Sequence, residues 1–225
     1  MANTDYRLIS YGRIPSTQTL AAEMIADGTA ADRTVVMASA QSAGRGRGTN
    51  RKWVSHYGNL YASFIYGASE RRPTLSYAFA VAAAETLISF GVPARIRWPN
   101  DIMADGKKIS GMLLEYCDNF LIVGIGINVK TNPRLEKYET AKAGDYAKGL
   151  TPNRVMGELV KNFEKWRTKD FREVRAKWTE LSIEPNAEIN YRRRPAVYCG
   201  LNEDGAMLLR IGDKYELVYG DEIFT

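Results

Sequence analysis

The stretch 108-KISGMLLEYCDNFLIVGIGINV-129 reads as two strands, 108–116 and 120–129, paired around a tight turn at Asp118-Asn119. The second strand contains Gly124 and Gly126, and glycine inside a strand often marks close approach of backbone or ligand. Upstream, ARIRW (94–98) is a third strand that ends at Pro99. Before it lies a long apolar helix over 73–93, stopped by Gly91 and Pro93. Strands follow at 34–40 and 59–66, the latter alternating Leu60, Ala62 and Phe64 against Tyr61, Ser63 and Ile65. A helix over 16–28 has Ser16 as its N-cap and Gly28 as its stop.

Downstream, 132–150 reads as a polar loop with little regular structure. Two amphipathic helices come next, near 153–168 (Val155, Leu159, Phe163, Trp166) and 170–181 (Val174, Trp178, Leu181). After Pro185 the texture changes to short strands, AEINY, AVYCGL, AMLLR and YELVY, with a turn at Asn202-Glu203-Asp204-Gly205. That pattern predicts a small appended β-barrel. Helices and strands mix without regular alternation, so the fold class is α+β rather than a doubly wound sheet. The expected division is 1–183 and 184–225.

Bulk properties narrow the function. The chain has 225 residues, is 45% hydrophobic and carries a net charge of +5, which suits one substantial domain, a small second one and an anionic partner. Its two cysteines, Cys117 and Cys199, lie far apart and form no metal or redox motif. The N-terminus lacks a signal-peptide pattern, and no run of about 18 apolar residues suggests a membrane span, so a cytoplasmic location is expected. His56 is the single histidine. It has no triad partner and reads as a surface loop residue.

Three segments carry chemistry. In 41-QSAGRGRGTNRKW-53 the glycines let backbone amides turn toward an anion, the arginines offer bidentate donors, and Trp53 offers a flat surface. The segment is neither a Walker loop nor a dinucleotide fingerprint. It suits a solvated basic loop, a nucleic-acid contact or a loop that closes on a nucleotide. In 97-RWPNDIMADGKKISGMLLE-115, Trp98-Pro99 holds Asn100 and Asp101 at a strand end. There they can bind Mg²⁺, orient a phosphate, accept from an amine or simply make an Asx turn. Lys107 reads as a turn lysine and Lys108 as an inward one. An ammonium set against a carboxylate and a phosphate is worth roughly 4 kcal/mol per pair at about 4 Å and an effective dielectric near 20. In 123-VGIGINV-129 the glycines leave room for a flat ligand and Asn128 can bond a heterocycle edge.

In order and spacing, PSTQ (15–18), QSAGRGRG…RKWVS (41–55), GNLY (58–61), RWPNDI (97–102), KKISGMLLE (107–115) and GIGIN (124–128), with GLNEDGAMLL (200–209) and GDE (220–222), resemble the biotin protein ligases. The resemblance covers nearly the whole chain. It implies a mixed sheet flanked by helices, akin to class II aminoacyl-tRNA synthetases, followed by an SH3-like barrel. It implies an ATP-dependent ligase that makes biotinyl-5′-AMP and transfers biotin to a lysine of a biotin carboxyl carrier protein, with Mg²⁺ accompanying ATP. Some relatives carry an N-terminal winged-helix DNA-binding domain. Here the motifs begin almost at Met1, so no DNA binding is expected. A homodimer remains open.

The same resemblance implies roles. Ser16, Thr17 and Gln41 would meet the biotin ureido group, with Tyr61, Gly111 and Gly124 lining that pocket. Gly44, Arg45 and Arg47 would close over the adenylate, with Gly44 and Arg45 also at biotin, and Trp53 would pack near adenine. Lys108 would bridge the biotin carboxyl and the α-phosphate, Asn128 would meet adenine, and Asn100 and Asp101 would serve Mg²⁺-pyrophosphate or the acceptor lysine. Lys108, Arg45 and Asp101 are thus the expected catalytic set. Departures from the common pattern are Pro15, Gln18, Gly48 and one extra residue before Arg51. The RRRP run (192–195) reads as a solvated turn. A lipoate-protein ligase shares the fold but has a different arginine–glycine loop. A nucleic-acid-binding module would explain the charge but not Lys108, the strand glycines and RWPND together.

Overall fold

The computed structural model describes residues 6–47, 52–67, 74–136, 138–183, 186–192 and 194–219. Gly48, Arg51, Arg193 and the GDE segment at 220–222, all singled out from sequence, lie outside the described residues.

The hairpin is present as β6 (Lys107–Cys117) and β7 (Phe120–Ile127), antiparallel and in register from Ser110↔Ile127 to Cys117↔Phe120. Asp118 takes the left-handed conformation (φ 47°) that such a two-residue turn requires. Asp105 and Gly106 (φ 47° and 75°) make a second turn of this kind between β5 (Asp101–Ala104) and β6. With β1 (Arg7–Ile14), β2 (Thr34–Gln41), β3 (Leu60–Tyr66) and β4 (Ala94–Arg97), these strands form one seven-stranded sheet of order β1-β2-β3-β7-β6-β5-β4. β1 and β2 are parallel and the remaining pairs antiparallel, so the sheet is mixed as expected.

Two of these strands were not expected. β1 is exposed along most of its length and shows no inside–outside alternation, so its strand character comes from pairing with β2. β5 has four residues between a proline and a turn, too few to carry a period.

One face of the sheet is buried under α2 (Leu75–Ser89), α3 (Pro152–Arg167) and α4 (Phe171–Leu181). The alanine-rich α2 is buried nearly all round. Phe79 on it, Phe163 on α3, and Phe64 and Tyr66 on β3 interlock, with centroids 4.7 Å apart for Phe79–Phe163 and 5.1 Å for Phe64–Phe79. Phe64–Phe79 packs edge to face and Phe79–Phe163 is tilted, and such aromatic pairs add about 0.5–1.5 kcal/mol each beyond area burial. Thr151 caps α3, with Pro152 at its first turn, and Asp170 caps α4 by accepting from the Glu173 amide at 2.9 Å.

On the opposite face α1 (Thr17–Ala26) buries Ala21, Met24 and Ile25 against Val36, Ile65 and Ile122. This cluster covers only part of the face.

The C-terminal strands β8 (Glu188–Tyr191), β9 (Arg194–Leu201), β10 (Met207–Ile211) and β11 (Lys214–Val218) form an antiparallel sheet of order β11-β10-β9-β8. Tyr198, Leu209 and Val218 from this sheet join the main core, and the Tyr77 hydroxyl of α2 donates to the Gly205 carbonyl. The 132–150 segment is more ordered than its composition suggests. The Lys108 amide donates to the Glu139 carbonyl and Ala141 N to the Lys108 carbonyl, both at 2.9 Å, and 143–145 form a 3₁₀ turn.

Candidate functional site

Paired residues of an antiparallel sheet point to the same face, so the register shows what the α1 side presents. One row runs Tyr61–Gly126–Gly111–Asp101 across β3, β7, β6 and β5. The next runs Ser63–Gly124–Leu113. Three glycines and a serine thus make a low floor where large side chains would otherwise stand. The N-terminus of α1 and the loop after β2 wall this floor, and together they form a cleft.

The glycines are required by what lies on them. A Cβ on Gly126 would sit 2.4 Å from the Trp53 indole, and one on Gly111 2.8 Å from it. A Cβ on Gly124 would sit 2.4 Å from Gln18 Oε1. With Trp53 lying over the floor, the cleft leaves about 60 Å³ of space, room for a few waters. Any larger ligand must shift the indole.

At the deep end the side chains form a polar chain. The Thr17 amide and hydroxyl donate to Gln41 Oε1 at 2.8 and 3.2 Å, and Gln41 Nε2 donates to Ser55 Oγ at 3.2 Å. Ser63 Oγ lies 2.9 Å from both Thr17 Oγ1 and Gln18 Oε1. Ser16 serves as the N-cap of α1, accepting from the Thr19 amide at 3.4 Å, and it also lines the cleft. Gln18 Nε2 is buried and makes no hydrogen bond, as do Trp53 Nε1 and Asn128 Oδ1. A buried polar group without a partner costs about 1–3 kcal/mol, so the three at this cleft and the pocket beside it fit polar atoms of a ligand.

Lys108 stands at the other end. Its ammonium is 2.6 Å from Asp101 Oδ1, both side chains being 15% exposed. It lies 5.5 Å from the ring centroids of both Trp53 and Tyr138. Lys108, Trp53, Tyr138 and Asn128 also line a smaller adjoining pocket, where Asn128 Nδ2 is fixed by the Ala141 carbonyl at 3.0 Å. Lys108 therefore sits at the junction of two pockets.

Several expected residues meet here: Ser16, Thr17, Gln41, Arg45, Arg47, Trp53, Asn100, Lys108, Gly111 and Gly124 line the cleft, and Asn128 the adjoining pocket. Others have different tasks. Tyr61 is fully buried behind the cleft, its hydroxyl accepting from the His56 amide at 2.8 Å and donating to the His56 carbonyl at 2.9 Å. Burial raises its pKa. It pins the 55–58 turn rather than lining the pocket, while the His56 side chain is exposed. Gly44 lies under the Trp53 carbonyl, 2.5 Å from where its Cβ would be, and accepts from the Trp53 amide at 2.9 Å. It closes the base of the loop. The Arg45 guanidinium binds Glu115 through both of its terminal nitrogens. Trp53 rests on the glycine floor between the two pockets rather than beside only one.

Asp101 fits a Mg²⁺ ligand poorly. Its Oδ1 is taken by Lys108 and its Oδ2 by Arg97 at 2.9 Å, while Asn100 Nδ2 donates to the Met112 carbonyl. Among the described residues no three His, Cys, Asp or Glu side chains group to hold a metal ion. Gln18, Ser63 and Tyr138 line these pockets without being assigned to the site from sequence, whereas Gly126 reads there with Gly124 as leaving room for a ligand. Alternation along β3 places Ser63 with Tyr61, and Gly126 follows the same rule with Gly124.

A mixed sheet with one face sealed by helices and the other opened as a glycine-floored, lysine-bearing cleft defines a small-ligand-binding α+β enzyme domain. The chain belongs to the Biotin/lipoate A/B protein ligase family, whose sequence model matches residues 11–132. It is 28% identical to the Bifunctional ligase/repressor BirA of Bacillus subtilis, over 96% of this chain and 73% of that protein. It is equally 28% identical to the Biotin--[acetyl-CoA-carboxylase] ligase of Paracoccus denitrificans, over 84% of this chain and 89% of that protein. The solved biotin protein ligase from Aquifex aeolicus in complex with biotin and ATP superposes with a TM-score of 0.83 at 28% identity, covering 95% of this chain and 96% of that one.

Proposed function

We infer that the protein is an ATP-dependent ligase that converts biotin to biotinyl-5′-AMP and passes the biotinyl group to a lysine of a biotin carboxyl carrier protein. The observation that carries this reading is Lys108, an ammonium held by Asp101 where two pockets join. In the first step a biotin carboxylate oxygen bonds to the α-phosphorus of ATP, and pyrophosphate leaves with the electrons of the cleaved P–O bond. Two anions must meet, so the site needs cations rather than a nucleophile. Lys108 supplies one between them and Arg47 a second from the cleft wall. In the second step the neutral amine of the acceptor lysine bonds to the acyl carbon, AMP departs and the amine loses a proton. Trp53 and the loop over the floor would shield the mixed anhydride from water.

The deep end favours a ureido ring. It offers amide and hydroxyl groups from Thr17, Gln18, Gln41 and Ser63, which match two N–H donors and a carbonyl. A dithiolane would leave Gln18 Nε2, the unpartnered group among them, without a partner. Asn128 Oδ1 offers an acceptor for an adenine amino group, and Tyr138 faces that pocket from the 132–150 segment. Mg²⁺ enters this scheme with the nucleotide phosphates as part of the substrate, since Asp101 is held by two cations. The division between catalytic and C-terminal parts falls near residue 183.

ATP–pyrophosphate exchange with purified protein tests the reading. Exchange is expected with biotin and not with lipoate or octanoate. Exchange with lipoate or octanoate instead would move the chain to the lipoate branch of the family.

A further inference from the structure

We propose that Glu115 is a positioning residue for the glycine–arginine loop, and that Arg45 acts through it as the loop's anchor rather than as a phosphate ligand. The inference rests on the ligase reading for its activity readouts. Arg45 makes a two-pronged pair with Glu115: Nη1 donates to Oε2 at 3.0 Å and Nη2 to Oε1. The side chains are 43% and 30% exposed. Single-contact exposed pairs contribute little, whereas a planar two-bond fork also fixes orientation.

Register shows where this holds the loop. Glu115 is cross-strand from Ile122 and shares the cleft face with Leu113 and Gly111. It lies four residues along β6 from Gly111, about 13 Å at a strand's rise. Gly111 pairs with Asp101, which holds Lys108, so the Arg45 fork is turned to the opposite end of the floor from the Lys108 ammonium. One arginine cannot hold Glu115 with both faces of its fork and also bind a phosphate beside Lys108. The backbone agrees: Arg45 bridges Lys52 and Gly44 O accepts from Trp53 N, so 44–45 and 52–53 form a closed neck. The side-chain fork ties that neck to β6, and the neck delivers Trp53 onto Gly111 and Gly126.

The test is a double-mutant cycle on Glu115→Gln and Arg45→Gln, with Glu115→Asp as the conservative variant. Biotinyl-adenylate release and the KM and kcat of biotin-dependent exchange are measured. An anchor predicts that each single variant speeds adenylate release roughly 5–10-fold and raises KM with little change in kcat. The double variant should be no worse than either single one, and Glu115→Asp should recover part of the loss. If Arg45→Gln lowers kcat strongly while Glu115→Gln leaves every parameter at the wild-type value, Arg45 grips substrate and the proposal falls. Hydrogen exchange at the Trp53 amide gives a readout that needs no activity. It should rise equally in both single variants, and no rise in either would overturn the anchor. Absence of exchange activity in the wild-type protein would overturn the ligase reading and leave that amide measurement to judge the anchor.

Discussion

The two faces of the seven-stranded sheet solve different problems. On the helix side, β3 and β7 present Ala62, Phe64, Val123, Ile125 and Ile127, and α2 and α3 close over them. On the α1 side the same strands present Ser63, Gly124 and Gly126, and three polar atoms on that side, Gln18 Nε2, Trp53 Nε1 and Asn128 Oδ1, lack partners. Side chains alternate along one backbone, so each strand builds a core and a binding floor at once. The difference separates stability from function, and substitutions should report on one face at a time.

The largest effect is expected on the sealed face. Phe163 is fully buried, between Phe79 and Tyr66. Phe163→Ala should cost about 3–5 kcal/mol, by lost transfer energy and the cavity left behind. Urea melts measure it. Exchange activity per folded molecule should stay within about twofold, because the cleft shares no side chain with this cluster. A collapse of activity without a shift in the urea midpoint would break the comparison.

On the open face the balance reverses. Lys108→Ala should lower biotin-dependent exchange by about 10²–10³-fold, or roughly 3–4 kcal/mol of transition-state stabilisation. It should cost less stability than Phe163→Ala, since Asp101 retains Arg97 at 2.9 Å. Near-normal turnover would remove Lys108 from the mechanism.

How much of this was legible follows the same division. β6, β7 and the helices α3 and α4 announce themselves because each pattern repeats over several turns or pleats, and one local rule suffices. β1 does not, because as an exposed edge strand it has no period, and its identity comes from β2. The glycines, Lys108 and Asn128 were legible as site residues because glycine in a strand and an inward lysine break the expected pattern. The tasks of Tyr61 and Arg45 were not. Arg45 meets a partner 70 positions away, and that pairing exists only once the sheet register is set. The loop's composition names an anion grip and says nothing of which anion. Gln18 stood out as a departure, but only the fold shows its amide over Gly124.

A smaller effect links the sealed face to pH. Glu164 of α3 accepts from Arg167 Nε at 2.7 Å and from the Tyr6 hydroxyl, which also lies 3.1 Å from that of Tyr66. Burial pulls the Glu164 pKa up, but the Arg167 and Tyr6 hydrogen bonds outweigh it and hold the carboxyl below its usual value. Burial pushes both tyrosines up, so they stay protonated donors over the ordinary range. A depressed folded pKa gives stability that is present above the unfolded value and lost as pH falls through the folded one. Glu164→Gln should cost about 1–3 kcal/mol near neutrality and flatten the acid limb of the stability curve below about pH 4. An unchanged acid limb in urea melts would show that Glu164 does not carry it.

The smallest effect tests whether a lone polar atom means the same thing on both faces. Ser110 pairs with Ile127, so its side chain belongs to the helix face, and its hydroxyl is buried with no hydrogen-bond partner. On the cleft face such an atom borders a cavity with room for a ligand's polar group. Here its cross-strand neighbours are Ile102 and Ile127, and no hydrogen bond offsets the loss of its contact with water. Ser110→Ala removes one oxygen from a packed site and leaves a void smaller than a methyl group. The cavity cost and the relieved desolvation should nearly cancel, for a net change within about 1 kcal/mol that tends toward greater stability. Biotin affinity and exchange rate should not move, although Gly111 beside it lines the cleft. A clear loss of biotin affinity would put the Ser110 hydroxyl in the binding network. The division of labour would then be between residues rather than between faces.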